Sequence, residues 1–280
     1  MIDKQEILAN TAKYLLSANA IEKDYVINWI LAGIANSKIL REKWIFKGGT
    51  CLKKCYFEAY RFSEDLDFTI IDAAHINRNF LITEFRNVSN WIYEESGIEI
   101  PADHMQFEES KNPRGNISIA GKLAYKGPLQ RRAHMSTIKL DLTNDELMVR
   151  QPVWRNVHHS YSDLHAEKLK ILTYSIEEIF AEKLRALVER MRPRDLYDVI
   201  HLHKDKRWSP NHKIVLDVLS KKCKFKNIAV PTLRSIESAS AKADLMADWN
   251  NMLAHQIHSL ESCEHYWKQL PELFAWLYGK

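Results

Sequence analysis

Two aspartates one residue apart, in Arg61-Phe-Ser-Glu-Asp-Leu-Asp-Phe68, constrain this chain more than any other stretch. Side chains on a β-strand alternate between faces. Asp65 and Asp67 therefore point to one side, while Leu66, Phe68 and Ile70 point to the other, into a core. Burial of the apolar side anchors the strand and leaves two anionic groups adjacent. A cation between them relieves their repulsion. A hard divalent ion, Mg²⁺ or Mn²⁺, suits the oxygen ligands and is commonly completed by substrate phosphates. Upstream stands Lys47-Gly-Gly-Thr50. Lacking Cβ atoms, Gly48 and Gly49 let backbone N–H groups approach a phosphate closely. The two segments together read as a site for a metal–nucleotide complex.

A chain of 280 residues is long enough for one large domain or two modest ones. Glycine and proline number only eight each, which argues against long disordered linkers and for a helix-rich fold. The net charge of +4 permits an anionic partner without demanding one, so a nucleic acid has to be argued from the site. Cys51, Cys55, Cys223 and Cys263 form no CxxC pair; Cys51 and Cys55, at i,i+4, read as small packing residues on one helix face. The first ten residues show no apolar signal core, and no run approaches the ~20 apolar residues of a membrane span. A cytoplasmic location with reduced thiols is the expectation.

Helical periodicity runs over about 3–18 and 21–40, the second stretch carrying an apolar band of Val26, Ile27, Trp29, Ile30, Ile34 and Leu40. Trp44-Ile-Phe46 reads as a short buried strand entering the glycine turn, with a helix beginning at Thr50. The Asp-x-Asp strand spans about 65–71, and 76–95 reads as a long amphipathic helix. Alternating runs at 116–125 and 135–143, set off by Asn112-Pro-Arg-Gly115 and Gly127-Pro128, suggest antiparallel strands. In the second run Ile138, Leu140 and Leu142 face one way, which puts a third carboxylate, Asp141, on the polar face. From about 175 onward the chain reads as helices, broken near Pro193 and Pro210, with a last helix after Pro271. The expected division is a mixed half, 1–173, holding the site strands and the N-terminal helices, and a helical half, 174–280.

The segment Ser175–Arg190 opens with a capping-box arrangement of Ser175 and Glu178. Ile176, Phe180, Leu184, Leu187 and Met191 make its buried stripe. Lys183 falls about 60° from the stripe's centre, and Arg190 on the same flank two turns along. Glu182, Arg185 and Glu189 make the expected solvated face. Two readings of Lys183 and Arg190 stand together: stems that cover apolar surface while their heads reach water, or a cationic clamp for a triphosphate. Asp195 and Asp198, at i,i+3 on the next helix, are placed to orient either cation by charge-assisted hydrogen bonds.

Taken together, Lys47-Gly-Gly-Thr50, Arg61–Phe68, Lys139-Leu-Asp141, the Glu177–Arg190 pattern, Arg194-Asp-Leu-Tyr-Asp198 and Glu22-Lys-Asp-Tyr25 resemble the AbiEii/AbiGii toxin family over about residues 20–205. Gly49-Thr50 stands where the wider superfamily has Gly-Ser. The resemblance implies an α+β fold: a polymerase-β-like nucleotidyltransferase core, with a mixed or antiparallel sheet and flanking helices, followed by a C-terminal helical region. It implies a toxin of a bacterial toxin–antitoxin or phage-defence system that moves a nucleoside monophosphate from NTP to an acceptor, in some relatives the 3′ end of tRNA, with a neighbouring antitoxin acting directly or indirectly. By position, Asp65, Asp67 and Asp141 would hold the metal; Lys47, Gly48, Gly49, Thr50, Ser63, Lys183 and Arg190 would face the nucleotide; Asp195 or Asp198 would complete the catalytic set. For these parts to work together, the aspartates of the first half and the cationic flank of the Ser175–Arg190 helix have to meet across one cleft.

An RNA acceptor calls for basic residues interleaved with aromatics. Lys204, Lys206, Arg207 and Trp208 fit, as do Lys221, Lys222, Lys224 and Lys226, and Lys111, Arg114, Lys122, Lys126, Arg131 and Arg132; ordinary solvated surface is the alternative for each patch. His158-His159 and His201-x-His203 lack the companions a transition-metal site needs. Two rivals remain: transfer to a small-molecule acceptor such as an aminoglycoside, and a non-catalytic nucleotide-binding protein that keeps the fold.

Overall fold

The computed structural model describes residues 1–111, 115–130, 135–163 and 169–280. The turn expected at Asn112-Pro-Arg-Gly115, apart from Gly115, and the basic residues Arg114, Arg131 and Arg132 lie outside that set. Contacts gather the chain into two compact units, Met1–Glu146 with Pro152–Thr173, and Leu147–Gln151 with Tyr174–Lys280.

The first unit is built on a seven-stranded sheet. Its helices and strands run α1 (Lys4–Tyr14), α2 (Ala18–Asn36), β1 (Trp44–Lys47), α3 (Gly48–Cys51), β2 (Asp65–Ile70), α4 (Arg78–Ser96), β3 (Met105–Lys111), β4 (Ile117–Tyr125), β5 (Ser136–Thr143), β6 (Val153–Asn156) and β7 (Lys170–Thr173). The strand order is β3-β4-β5-β2-β1-β7-β6. β2 pairs antiparallel with β1 but parallel with β5, and β1 pairs parallel with β7. The sheet is therefore mixed, as the fold class expected, with β3, β6 and β7 added to the strands legible from alternation.

One sheet face carries the core. Trp44, Phe46, Leu66, Phe68, Ile138, Leu140 and Leu142 are buried there. Trp44 packs against Phe68 at 5.3 Å and against Phe85 of α4 at 5.8 Å, and Phe85 meets Phe107 of β3 at 5.5 Å. Burying each such side chain is worth about 2–3 kcal/mol, which sets the strands' facing: a one-residue slip would carry Asp65 and Asp67 into this layer.

The second unit holds α5 (Ile176–Arg190), α6 (Pro193–Lys204) and α7 (His212–Lys226). Five shorter helices follow: α8 (Leu233–Glu237), α9 (Lys242–Ala247), α10 (Trp249–Leu253), α11 (Cys263–Trp267) and α12 (Leu270–Leu277). Ser175 caps α5 by accepting from the Glu178 N–H. The other half of the expected capping box does not form. Glu178 is buried, and its carboxylate instead accepts from the N–H groups of Val149 and Arg150 while pairing with Lys222 of α7 at 2.6 Å. Lys222 also reaches the Leu147 carbonyl at 2.7 Å. These bonds explain why Leu147–Gln151 belongs with the helices.

Two surface expectations are corrected by the same packing. Arg185, expected on a solvated face, is buried and paired with Glu182 and Glu189. Lys222, expected in a basic RNA patch, is only 2% exposed. In both cases α7 lies against α5 and covers what helical periodicity alone assigned to solvent. All four cysteines are buried and free. No helix among the described residues is long and apolar enough to cross a membrane.

Candidate active site

The polar face of the sheet carries the carboxylates. Asp67 is the register partner of Asp141 on β5, and Asp65 is the partner of Lys139. Register partners project to the same side of a sheet, so Asp65, Asp67 and Asp141 share one face. On the other flank Lys47 is the partner of Asp67 on β1, and its ammonium lies 3.7 Å from Glu146. Asp65 and Asp67 are half-buried and Asp141 is open to solvent. Surrounding protein still strips enough hydration from Asp141 to raise its pKa; Lys47 opposes the rise, and Glu146 and Asp65 add to it.

Lys47-Gly-Gly-Thr50 joins this face to the start of α3. The helix begins at Gly48, two residues earlier than expected, and continues as a π-helical turn over Leu52–Tyr56. Gly48 has φ +80°, and a Cβ there would collide with the Asp67 carboxylate. At Gly49 a Cβ would press on the Arg61 guanidinium. Only glycine lets the turn sit against both side chains. No side chain caps the start of α3. The first N–H groups of a helix have no intrahelical acceptor, and the helix dipole favours an anion beside them. Thr50 is fully buried; its hydroxyl donates to the Asp65 carbonyl and lies 2.9 Å from the Ser63 hydroxyl. It ties the helix start to the strand that carries the aspartates, while Ser63 stays half-exposed.

In the second unit the cations and carboxylates of α5 and α6 form one network. Lys183 Nζ lies 2.7 Å from Asp198 and 3.8 Å from Asp195. Arg190 grips Asp195 in a fork, Nε at 2.6 Å and Nη2 at 2.8 Å. Both aspartates are fully buried, whereas half of the Arg190 side chain is open. Pro193 at the first turn sets α6 directly after α5, and the i,i+3 spacing brings both carboxylates to the α5 cations. Such a network holds an ammonium in one orientation, since breaking a buried pair is strongly unfavourable.

The donor set on the sheet is all oxygen, which suits a hard divalent cation. Among the described residues no three His, Cys, Asp or Glu side chains converge into a ready-made metal cage. Mg²⁺ does not need one, because it is commonly bound by one or two carboxylates, water and substrate phosphates. His201 stacks on Tyr197, and His203 lies against Trp276 and 3.7 Å from Glu272. His159 lies 3.4 Å from Asp163. Three site neighbours carry no assigned role in the sequence reading: Arg61 behind Gly49 and Lys139 beside Asp65, both within the quoted motifs, and Glu146 beside Lys47. Strand alternation already puts Lys139 on the face of Asp141; its place beside Asp65 depends on register, and that of Glu146 on the path of the loop.

This sheet, with its flanking and C-terminal helices, is the fold of a nucleotidyltransferase toxin. It matches the solved structure of MenT4, a nucleotidyltransferase toxin from Mycobacterium tuberculosis H37Rv, with a TM-score of 0.64 at 16% identity, over 100% of this chain and 91% of that one. The family described as "Nucleotidyl transferase AbiEii toxin, Type IV TA system" matches residues 29–277, and the chain belongs to that family. No curated protein sequence is significantly similar to it. The protein is accordingly a nucleotidyltransferase and the toxin of a toxin–antitoxin system.

Proposed function

We propose that the protein transfers a nucleoside monophosphate from an NTP to the 3′ end of an RNA, tRNA in particular, in a Mg²⁺- or Mn²⁺-dependent reaction that releases pyrophosphate. The observation that carries this reading is the Asp67–Asp141 register pair beside the uncapped helix start at Gly48. It supplies oxygen ligands for a hard cation next to a glycine turn that lets backbone N–H groups approach a phosphate closely.

Asp65 and Asp67 would hold the metal, with Asp141 as a third carboxylate on the same face; the ion would polarise the phosphoryl oxygens and lower the pKa of the attacking hydroxyl. Asp141, in register with Asp67 and open to solvent, is placed to take that hydroxyl's proton. The N–H groups at Gly48 and Gly49 and the Ser63 hydroxyl bind phosphate oxygens; Thr50 acts by fixing the loop, and Lys47 balances the carboxylates. Lys183 stabilises the charge that builds on departing pyrophosphate, oriented by Asp198 and Asp195, and Arg190 contributes its open edge. The toxin acts in the cytoplasm, beside its nucleotide and RNA substrates, and its antitoxin restrains it there.

Incubating the protein with each labelled NTP, Mg²⁺ and either total tRNA or aminoglycosides tests the reading. Label in tRNA supports it; label only in the small molecule replaces the acceptor; no label in any mixture leaves a nucleotide-binding protein. Asp65→Ala and Lys183→Ala each abolish transfer and relieve growth inhibition. Toxicity persisting in either variant at normal expression would remove that residue from the mechanism.

A further inference from the structure

The strand register places a second set of charges on the carboxylate face. Lys139 of β5 stands beside Asp65, and Lys122 of β4 stands beside Lys139. The row Asp65–Lys139–Lys122 thus runs across three strands, parallel to the row Asp67–Asp141–Ala120. Neighbouring strands lie about 4.8 Å apart, so the two lysines are rooted roughly 5 and 10 Å from the Asp65 strand. Both are exposed, and neither has an ion-pair partner among the described residues.

Like charges directly opposite each other weaken a sheet. Two unpaired lysines side by side, with carboxylates in the next row, are therefore disfavoured by strand pairing itself, and an anion resting on them removes the conflict. The row stops at β3, where Gln106 partners Lys122 and Glu108 partners Ala120. A negative charge closes the far end of the face. The basic stretch is two residues long, begins at the carboxylates and runs toward β4, with small Ala120 leaving the surface beside it low.

From this geometry we infer that Lys139 and Lys122 bind successive backbone phosphates next to the 3′ end of the acceptor RNA and hold its terminal hydroxyl at the carboxylates. The inference rests on the RNA-acceptor reading and adds the path of the strand: over β5, then β4. Contacts of this kind position an acceptor without reading its bases, so these lysines set affinity for RNA and leave the choice of sequence to other groups.

The test uses the full chain with Lys122→Ala, Lys139→Ala, the double variant and Lys139→Arg. Transfer is measured against acceptor concentration, NTP concentration and salt. Each alanine raises the acceptor KM by about three- to tenfold, and the salt dependence of acceptor binding falls by about one in log–log slope per lysine. The NTP KM stays within about twofold, Lys139→Arg recovers most of the loss, and neither alanine lowers the unfolding temperature, because both side chains lie on the surface and each substitution relieves the like-charge pairing. Unchanged acceptor KM and salt slope in variants of an enzyme that labels RNA would overturn the track while leaving the RNA reading intact. A rise in NTP KM instead would reassign the lysines to the triphosphate. If the unmodified protein labels no RNA at all, the acceptor reading falls and the track falls with it.

Discussion

Asp67 and Asp141 stand opposite each other in the parallel pairing of β2 and β5, while Lys47 stands opposite Asp67 on the antiparallel side. Two carboxylates in register repel, and one lysine cannot neutralise both along with Glu146. The fold tolerates the arrangement because burial of the opposite face holds the strands in place.

The cost of holding a charge on Asp141 is measurable. The pKa of Asp141 is raised in the folded protein, chiefly by lost hydration and then by Glu146 and Asp65. A carboxyl raised on folding favours the folded state at low pH, and its contribution is lost as pH rises through the folded value. In metal-free protein, Asp141→Asn therefore raises the melting temperature at neutral pH and leaves it unchanged near pH 3, below the ordinary carboxylate range of about 3.9. The gain stays below about 1 kcal/mol because the group is open to solvent. Added Mg²⁺ stabilises the unmodified protein more than Asp67→Asn. Calorimetry showing no pH-dependent gain for Asp141→Asn would remove that cost from the account.

Gly48→Ala tests the loop. Its left-handed φ costs an L-residue about 1–2 kcal/mol, and the added Cβ displaces the Asp67 carboxylate. Misplacement of a reacting group by about 1 Å costs on the order of 100-fold. Transfer activity drops by at least that factor while circular dichroism stays native. An active Gly48→Ala enzyme would show that the glycine serves only the chain's path.

A buried cluster in the first unit predicts stability. Asp24 lies 2.7 Å from Lys54 and 3.9 Å from Lys53, and accepts from the Tyr161 hydroxyl at 3.0 Å. Asp24→Asn leaves two lysines without their counter-charge and destabilises the protein by about 3–5 kcal/mol, read as a lower urea midpoint. Burial lowers the Lys54 pKa from 10.5 to about 8 despite Asp24. Between those values the unfolded chain binds the extra proton, so this group makes stability rise with pH. Lys54→Met abolishes that rise; an identical pH profile in the variant would contradict it.

Lys222 predicts a separation of stability from RNA binding. Its ammonium joins Glu178 at 2.6 Å, Glu182 at 3.0 Å and the Leu147 carbonyl. Lys222→Met costs about 3–5 kcal/mol by orphaning buried carboxylates. Lys221→Gln and Lys224→Gln change stability by less than about 0.5 kcal/mol, and either lowers the salt dependence of RNA binding if this surface meets the acceptor. A fully stable Lys222→Met protein would refute the buried role.

The fold was legible where a local pattern and a strong burial preference agree. Asp65-Leu-Asp-Phe68 alternates cleanly, Ser175 stands at a helix start, and the amphipathic stretch near 76–95 forms α4. Legibility failed where elements are short or polar. β6 and β7 have four residues each, and β3 shows only Met105 and Phe107 to the core before turning polar. The run Lys221-Lys-Cys-Lys-Phe-Lys226 reads as an exposed basic patch for RNA, yet Lys222 is buried by carboxylates supplied from α5.

By itself the amino-acid order determined which side chains share a strand face or a helix flank, because the periods of two and 3.6 residues are properties of the backbone. Through its motifs it also determined the family. Tertiary structure alone decided that Asp141 stands beside Asp67, that Lys139 and Lys122 extend the row from Asp65, and that Glu178 serves the 147–151 segment. Register, sheet order and helix contact join residues far apart in the chain, and no local period encodes which distant partner a face will meet.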